Sequence, residues 1–490
     1  MIINVTFQGA RRKRRAFVMK NKKAPPIQAG MAHYQAGRFK QAAAICADIL
    51  KPSPDDAQAL WLRGLCAQQL GDDKTAMVYF SRGARAHPTH AVFPLQMGAI
   101  QCRQGKYAEG ANSYRQALFV QPNYPEAHSG LANALLQQGD TVGAIAGYRR
   151  ALDMSPNRAA LHYNLGVVYK NRFEPEQAAI WFRQAIHLQP DHAAAHNGLG
   201  VVLMELGQLE EGQAAYRKAI EHAPDFAEAW CNLHGPLLDQ GDRQGAIDCL
   251  EQAVRLAPDQ GFYRFLLGVL RDVTGDAQQA QTCFAAIAGQ PALRPDLDAW
   301  QYLKTQQRGG RPLLVGSDIR IFQHALAHAR PDGLVLEFGV YRGKSIRLIA
   351  SLVDGAVHGF DSFQGIPEDW CHEARGSYST EGCIPEVPDS VTLHAGWFED
   401  SIPPFIEREK GPVRMMNIDC DLYSSTKTVL TQFAGQIGPG TVLVFDEYIC
   451  HASWREDEFK AFNEAAAQFG WNYEILCCSL MTRQVAIRIR

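Results

Sequence analysis

No stretch of 18 or more uninterrupted apolar residues occurs in this chain, which excludes a membrane-spanning helix. The first residues, Met1–Arg15, place their charges after their apolar part and lack the apolar block of a signal peptide. The 12 cysteines include no Cys-x-x-Cys pair. That excludes the usual zinc and redox spacings and leaves reduced thiols acting as core residues, the pattern expected of a cytoplasmic protein. Charge of one sign is also lacking: the net charge is −2, so bulk charge argues for neither nucleic acid nor a membrane surface as partner. A Gly-x-Gly-x-x-Gly turn is missing as well, which argues against a dinucleotide.

Proline, in contrast, is present in strict order. Pro54, Pro88, Pro122, Pro156, Pro190, Pro224 and Pro258 recur every 34 residues. Gly30, Gly64, Gly98, Gly166, Gly200 and Gly268 share one phase of this period, and Gly37, Gly71, Gly105, Gly139, Gly207, Gly241 and Gly275 share another, where the first helix of each unit should end. Ala42, Ala76, Ala144, Ala178, Ala246 and Ala280 suit a close helix crossing; Phe80, Tyr114, Tyr148, Phe182, Tyr216 and Phe284 fill a larger slot four residues on. These ladders resemble the tetratricopeptide repeat family over residues 25–292. The resemblance implies paired helices stacked into a superhelix whose groove holds a protein or peptide partner. Two departures stand out. Phe173 replaces the phase glycine of the fifth unit, and His234-Gly235-Pro236 interrupts the first helix of the seventh, where a kink is expected.

Residues 1–24, with Arg11–Arg15 and three further lysines, read as a basic, disordered leader, and Met19 offers an alternative start. Residues 293–312 read as a linker, because Arg308-Gly309-Gly310-Arg311-Pro312 is the clearest breaker cluster in the chain. Residues 313–490 then read as a second domain able to fold alone. After an amphipathic helix over 317–329, strands are expected at 334–338, 356–360, 391–394, 413–418, 441–445, 472–477 and 484–489, alternating with helices over 425–437 and 457–469. Alternation implies a parallel, doubly wound α/β sheet of seven strands, with the last two forming an antiparallel hairpin at its edge.

The chemistry sits at the strand ends. Gly333–Ser345 reads as strand, glycine turn and helix start, with Glu337 in the strand and Asp361 ending the next one. An acid there is placed to hold ribose hydroxyls, so the pattern suits a nucleoside such as S-adenosylmethionine. Asp419 and Asp421 follow the fourth strand, and Asp446 and Glu447 the fifth. Four carboxylates in one small space repel unless a cation joins them, and oxygen-only ligands favour Mg²⁺. The segment Ser362–Ser390, with Trp370, His372, Arg375 and Tyr378, is long enough to be a lid. His372 and His451 read as surface histidines.

The segments L-E-F-G-V-Y-R-G-K-S, G-F-D-S-F-Q-G-I-P, G-W-F-E-D-S-I-P, I-D-C-D-L-Y-S-S-T and F-D-E-Y occur in this order. Together they resemble the macrocin O-methyltransferase family, which methylates sugar hydroxyls, and hence a Rossmann-like class I methyltransferase fold. The resemblance implies that Glu337, Gly339, Gly343 and Ser345 line the methionine end of S-adenosyl-L-methionine. It gives the ribose to Asp361, adds Ser362 to the cofactor-binding set, and puts Gly396, Trp397 and Phe398 near the adenine. Asp419, Asp446 and Glu447 become the Mg²⁺ ligands and Asp421 the general base; the family usually has a second aspartate where Glu447 stands. The acceptor implied is a sugar hydroxyl of a glycan or glycosylated metabolite. A catechol-type methyltransferase, a protein methyltransferase fed by the array, and a scaffold with a non-catalytic C-terminal domain remain as alternatives.

Overall fold

The computed structural model describes residues 26–305, 313–371 and 373–490. The basic leader, the cluster Arg308–Pro312 and His372 lie outside the described residues. These contain 22 α-helices and one eight-stranded sheet, and the chain divides into two compact units at Pro156 and Asn157.

The first unit consists of helix pairs, from Pro26–Gln35 to Thr141–Met154. Gly37, Gly71, Gly105 and Gly139 end the first helix of each pair in the left-handed region, with φ of 71°, 77°, 75° and 83°. After Gly71 and Gly139 an aspartate caps the next helix: Asp72 accepts from the Thr75 amide and Asp140 from that of Gly143. The other glycine phase and the aromatic phase prove to be partners. A Cβ at Gly64 would run into the Phe80 ring, and one at Gly98 would press on Tyr114. These two rings lie against a glycine of the facing helix.

The second unit continues the repeat from Ala159–Asn171 to Ala277–Ile287, with Gly166 under Phe182, Gly200 under Tyr216 and Gly268 under Phe284. Phe173 adopts the left-handed turn that glycine makes elsewhere, with φ of 57°. The helix Ala227–Asp239 runs unbroken through Pro236. Its unusual sequence matches an unusual neighbour. A Cβ on Gly316 would collide with the Gly235 backbone, and Asp239 accepts from the Gly316 amide (2.7 Å) and the Ser317 hydroxyl (2.6 Å).

Most of the expected linker is structured. A 3₁₀ turn, Pro291–Leu293, leads into a helix, Arg294–Thr305, that buries Ala299, Trp300 and Leu303. Pro295 does not break this helix because it stands in the first turn, where an amide has no intrahelical partner to lose. The indole of Trp300 donates to the buried carboxylate of Asp272 at 3.0 Å.

The sheet comprises β1 (Leu313–Leu314), β2 (Leu334–Phe338), β3 (Val357–Asp361), β4 (Val391–Ala395), β5 (Val413–Ile418), β6 (Val442–Phe445), β7 (Tyr473–Cys478) and β8 (Val485–Ile489). Their order is β1-β7-β8-β6-β5-β2-β3-β4, with β8 antiparallel to both neighbours and all other pairs parallel. Two residues, β1, thus add an eighth strand to the seven expected. A helix absent from the sequence reading, Phe398–Arg408, follows β4. It runs through Pro403 and Pro404, which forgo two backbone bonds, and is held by burial of Ile402 and Phe405. Phe405 packs edge-on against Phe360 of β3 at 5.1 Å.

Repeats and sheet share one apolar core, in which Leu233, Leu237, Leu270 and Trp300 belong with Leu314, Phe445, Leu480 and Ile487. His234, Leu266 and Leu270 face Leu314, Val315 and Leu480 across a void of about 20 Å³. No division between compact units falls at residues 308–312. A second apolar cluster, with Phe322, Val335, Ile346, Met415 and Val444 buried, lies almost wholly within the sheet region and takes only Leu209 among its buried residues from the repeats.

Candidate active site

Sheet register decides which strand ends meet. Phe338 of β2 pairs with Ile418 of β5, and Ile418 pairs with Phe445 of β6. The next residues, Gly339, Asp419 and Asp446, therefore stand side by side at the carboxyl ends of three adjacent strands. Their amides continue the ladder: Gly339 donates to Phe360 O (3.0 Å), Asp419 to Phe338 O (2.8 Å) and Asp446 to Ile418 O (3.0 Å). Gly339 has φ of 89°, and a Cβ there would strike the Asp419 carbonyl. Only glycine allows the turn to pass so close to β5.

A cavity of about 490 Å³ opens over these ends, a volume suited to a cofactor with part of a second substrate. Of the expected site residues, Gly339, Ser345, Asp361, Ser362, Gly396, Trp397, Phe398, Asp419, Asp421, Asp446 and Glu447 line it. Glu337 and Gly343 do not. Gly343 sets the left-handed entry (φ 77°) into the helix Lys344–Ala350. Glu337 is fully buried behind the wall, where one carboxylate oxygen accepts from the Ser345 hydroxyl and the Asn417 amide while the other has no partner. Burial pushes its pKa up to about 8. Glu337 thus fixes Ser345, which does reach the cavity.

Asp361 organises the turn. Its Oδ2 accepts from the amides of Val340 (2.8 Å) and Tyr341 (2.7 Å), and its Oδ1 from that of Phe363 (2.6 Å). A carboxylate has about four lone-pair sites, so three amides leave room for one further donor. Asp361 thus keeps room for a ligand hydroxyl beside the three amides. Gly396, with φ of 138°, meets only Ser401 near the position of an added Cβ, so its surface is open to the cavity. Open backbone at Gly396, the part-buried rings of Trp397 and Phe398, and the one free site on Asp361 together fit an adenosine.

The carboxylates form a second region of the same cavity. Burial, then each other's charge, raises Asp421 to about 7 and Asp419 well above the usual carboxylate range. Burial likewise lifts Asp446 to about 6 and Glu447 to about 7. Asp421 holds a left-handed φ of 60°, a strained backbone for a side chain with a Cβ. Three partners of this cluster were missed in the sequence. Lys344, kept protonated mainly by Asp318 at 3.2 Å, also feels Asp446. Gln484 donates to Asp446 Oδ1 at 2.5 Å. The Lys in R-G-K-S was the available signal for the first; Gln484 carried none. Arg483 approaches Glu447 at 3.4 Å.

The proposed Mg²⁺ set fits by chemistry, since Asp419, Asp446 and Glu447 offer only oxygen and face one cavity, but their oxygens are not gathered. Among the described residues, the trio whose ligand atoms all lie within 4.8 Å of one another is Cys371, His451 and Asp457. Neighbouring cations and Gln484 account for part of what a metal was invoked to neutralise. His451 is buried, not superficial, and its Nε2 donates to the Glu447 carbonyl at 2.8 Å.

The segment after β3 folds over the mouth. Gly365, Glu368, Trp370 and Tyr378 line the cavity, Glu368 accepts from Ser424 (2.6 Å) and Trp370 donates to Asp457 (3.2 Å). Phe173 of the fifth repeat also lines it, beside Tyr341.

Comparison with known proteins agrees with this geometry. Residues 336–448 match a family described as methyltransferase domain. Tetratricopeptide repeat families match residues 27–91, 98–159, 143–193 and 237–296, and residues 173–234. Mycinamicin III 3''-O-methyltransferase of Micromonospora griseorubida is 30% identical over 166 residues, 27% of this chain and 63% of that protein. The 8-demethyl-8-(2,3-dimethoxy-alpha-L-rhamnosyl)-tetracenomycin-C 4'-O-methyltransferase of Streptomyces olivaceus is 27% identical over 157 residues, 26% of this chain and 57% of that protein. The chain thus spans less than two thirds of either relative. A solved structure of the APC/C hetero-tetramer Cut9–Hcn1 aligns at 18% identity and a TM-score of 0.42, over 54% of this chain and 53% of that one.

Proposed function

We propose that this chain, which joins tetratricopeptide repeats to a C-terminal methyltransferase domain, is an S-adenosylmethionine-dependent O-methyltransferase acting on a sugar hydroxyl of a glycan or glycosylated metabolite. The observation that carries this reading is the meeting, in one cavity, of the turn Gly339–Ser345, Asp361 and the four carboxylates of β5 and β6. The names of both relatives, each an O-methyltransferase of a glycosylated compound, support the choice of acceptor. A protein or peptide held by the repeats and a cytoplasmic location complete the proposal.

In this reading Asp361 orders the turn and accepts one ribose hydroxyl, while Gly396, Trp397 and Phe398 surround the adenine. Ser345, oriented by Glu337, meets the methionine end. Bound S-adenosylmethionine supplies an electrophilic sulfonium methyl. The acceptor oxygen forms a bond to that carbon as the carbon–sulfur bond breaks, and S-adenosylhomocysteine leaves. Asp421 takes the hydroxyl proton, a contribution of typically 10²–10⁴-fold in general-base catalysis. Asp419, Asp446 and Glu447 would hold Mg²⁺, whose charge would make a nearby hydroxyl more acidic. Trp370 and Glu368, which line the cavity, would limit the access of water to the acceptor.

The test is transfer of a labelled methyl group to a panel of p-nitrophenyl glycosides that includes the rhamnoside. Asp421→Asn should lower turnover by about 10²–10⁴-fold and leave S-adenosylmethionine affinity, read by calorimetry, almost unchanged. Turnover should be lost in EDTA and return with Mg²⁺. Methylation of a catechol or a protein but of no glycoside would replace the sugar reading, and full turnover in EDTA would remove the metal from it.

A further inference from the structure

Phe173 occupies a position where the other units carry Gly37, Gly71, Gly105, Gly139, Gly207, Gly241 and Gly275. All of these residues turn through the left-handed region, and Phe173 does so at φ of 57°, a conformation that bulky side chains rarely adopt. Glycine would make this turn without strain. The ring is 42% exposed, so burial does not explain its presence. It leaves the repeat, meets Tyr341 edge-on at 5.8 Å and lines the catalytic cavity. Tyr341 in turn meets Tyr378 at 6.0 Å, and Tyr378 lines the same cavity as Asp419, Asp421 and Glu447. Beside the ring, Glu174 accepts from both Arg172 and Arg342, each at 2.8 Å, and so ties the repeat turn to the catalytic loop. Backbone strain at a position that faces a cavity points to a role in that cavity.

We propose that Phe173, Tyr341 and Tyr378 form an aromatic subsite for the acceptor sugar ring, so that the fifth repeat completes the acceptor half of the catalytic pocket. The inference rests on the reading of this pocket as a sugar O-methyltransferase site. A pyranose presents two surfaces, a face of C–H groups and a rim of hydroxyls. The first packs on aromatic rings, and the second needs hydrogen-bond acceptors. The cavity offers rings from the repeat side and carboxylates from the strand ends, and Tyr378 belongs to both regions. Phe173 is a specificity-determining residue in this arrangement, since its ring decides which sugar face can lie against Tyr341.

The experiment uses the full chain saturated with S-adenosylhomocysteine and titrated calorimetrically with the same p-nitrophenyl glycosides. Phe173→Gly should melt at or above the wild-type temperature and bind S-adenosylhomocysteine normally, while its glycoside affinity falls on the order of tenfold. Phe173→Tyr should keep glycoside affinity within about twofold, and Phe173→Leu should lose most of it, because the flat face and not apolar bulk is required. Undiminished glycoside binding by Phe173→Gly overturns the inference and leaves the methyltransferase reading standing. Parallel loss of melting temperature and of both ligands would make the ring a structural contact and overturn it too. If the wild type binds S-adenosylhomocysteine but no glycoside, the sugar reading falls and the inference falls with it.

Discussion

The two halves of the repeat array obey the same period and differ in what surrounds it. In the unit ending at Pro156, a Cβ added to any of Gly37, Gly71, Gly105 or Gly139 would meet nothing within 4 Å. In the unit beginning at Asn157, the corresponding positions include Phe173, which lines the cavity over the strand ends, and Gly207, where a Cβ would press on Ile319 and Leu348. The segment His234–Pro236 breaks the pattern where the backbone of Gly316 lies against it. The departures at Phe173 and His234–Pro236 each meet a residue outside the array, and Gly207 does so while keeping the consensus.

The sharpest way to break this comparison is to cut the chain. Because Leu233, Leu237, Trp300 and Leu303 share a core with Leu314, Leu480 and Ile487, residues 313–490 expressed alone should show no cooperative melting. Residues 157–490 should melt cooperatively and bind S-adenosylhomocysteine. A cooperative, ligand-binding 313–490 fragment would show that the repeats only decorate the sheet.

A smaller effect is expected from two glycines of the same phase. Gly139→Ala should cost about 1–2 kcal/mol through its left-handed turn alone. Gly207→Ala should add roughly 1–3 kcal/mol for overpacking against Ile319 and Leu348. Equal losses in urea melts of the two variants would deny that the halves differ. Smaller again is Asp239→Ala, which strands the Gly316 amide and the Ser317 hydroxyl. A loss of about 1–3 kcal/mol is expected, seen in melting of the 157–490 unit, with Asp239→Asn losing less.

What could be read in the sequence follows from where each signal resides. The helix pairs and the parallel strands are local patterns, and both appear as expected, down to the antiparallel β8. Two helices, Arg294–Thr305 and Phe398–Arg408, escaped the sequence reading. Pro295 begins a helix, and Pro403–Pro404 sit inside one that buried Ile402 and Phe405 hold in place. Local rules weigh a proline's missing amide but cannot weigh the burial that offsets it. At the site, strand-end residues such as Asp361, Asp419 and Asp446 were legible because register alone brings strand ends together. Glu337 was legible as a strand residue but not as one facing away from the cavity. Phe173 was visible as an anomaly in the repeat. Its neighbour Tyr341 lies 168 positions further along the chain (341 − 173), and no pattern within one repeat could reveal it.

The shared core also sets a schedule for biosynthesis. Leu233 and Leu237 leave the ribosome well before Ile487, their companion in the finished core. The intervening roughly 250 residues take on the order of 10–50 s to translate at ordinary elongation rates. For that interval the later repeats carry an apolar face that no neighbouring repeat covers. The nascent chain should therefore depend on a holding chaperone most strongly between synthesis of the seventh repeat and release of the last strand. Pausing translation within residues 313–470 should bring out aggregation that the finished protein does not show.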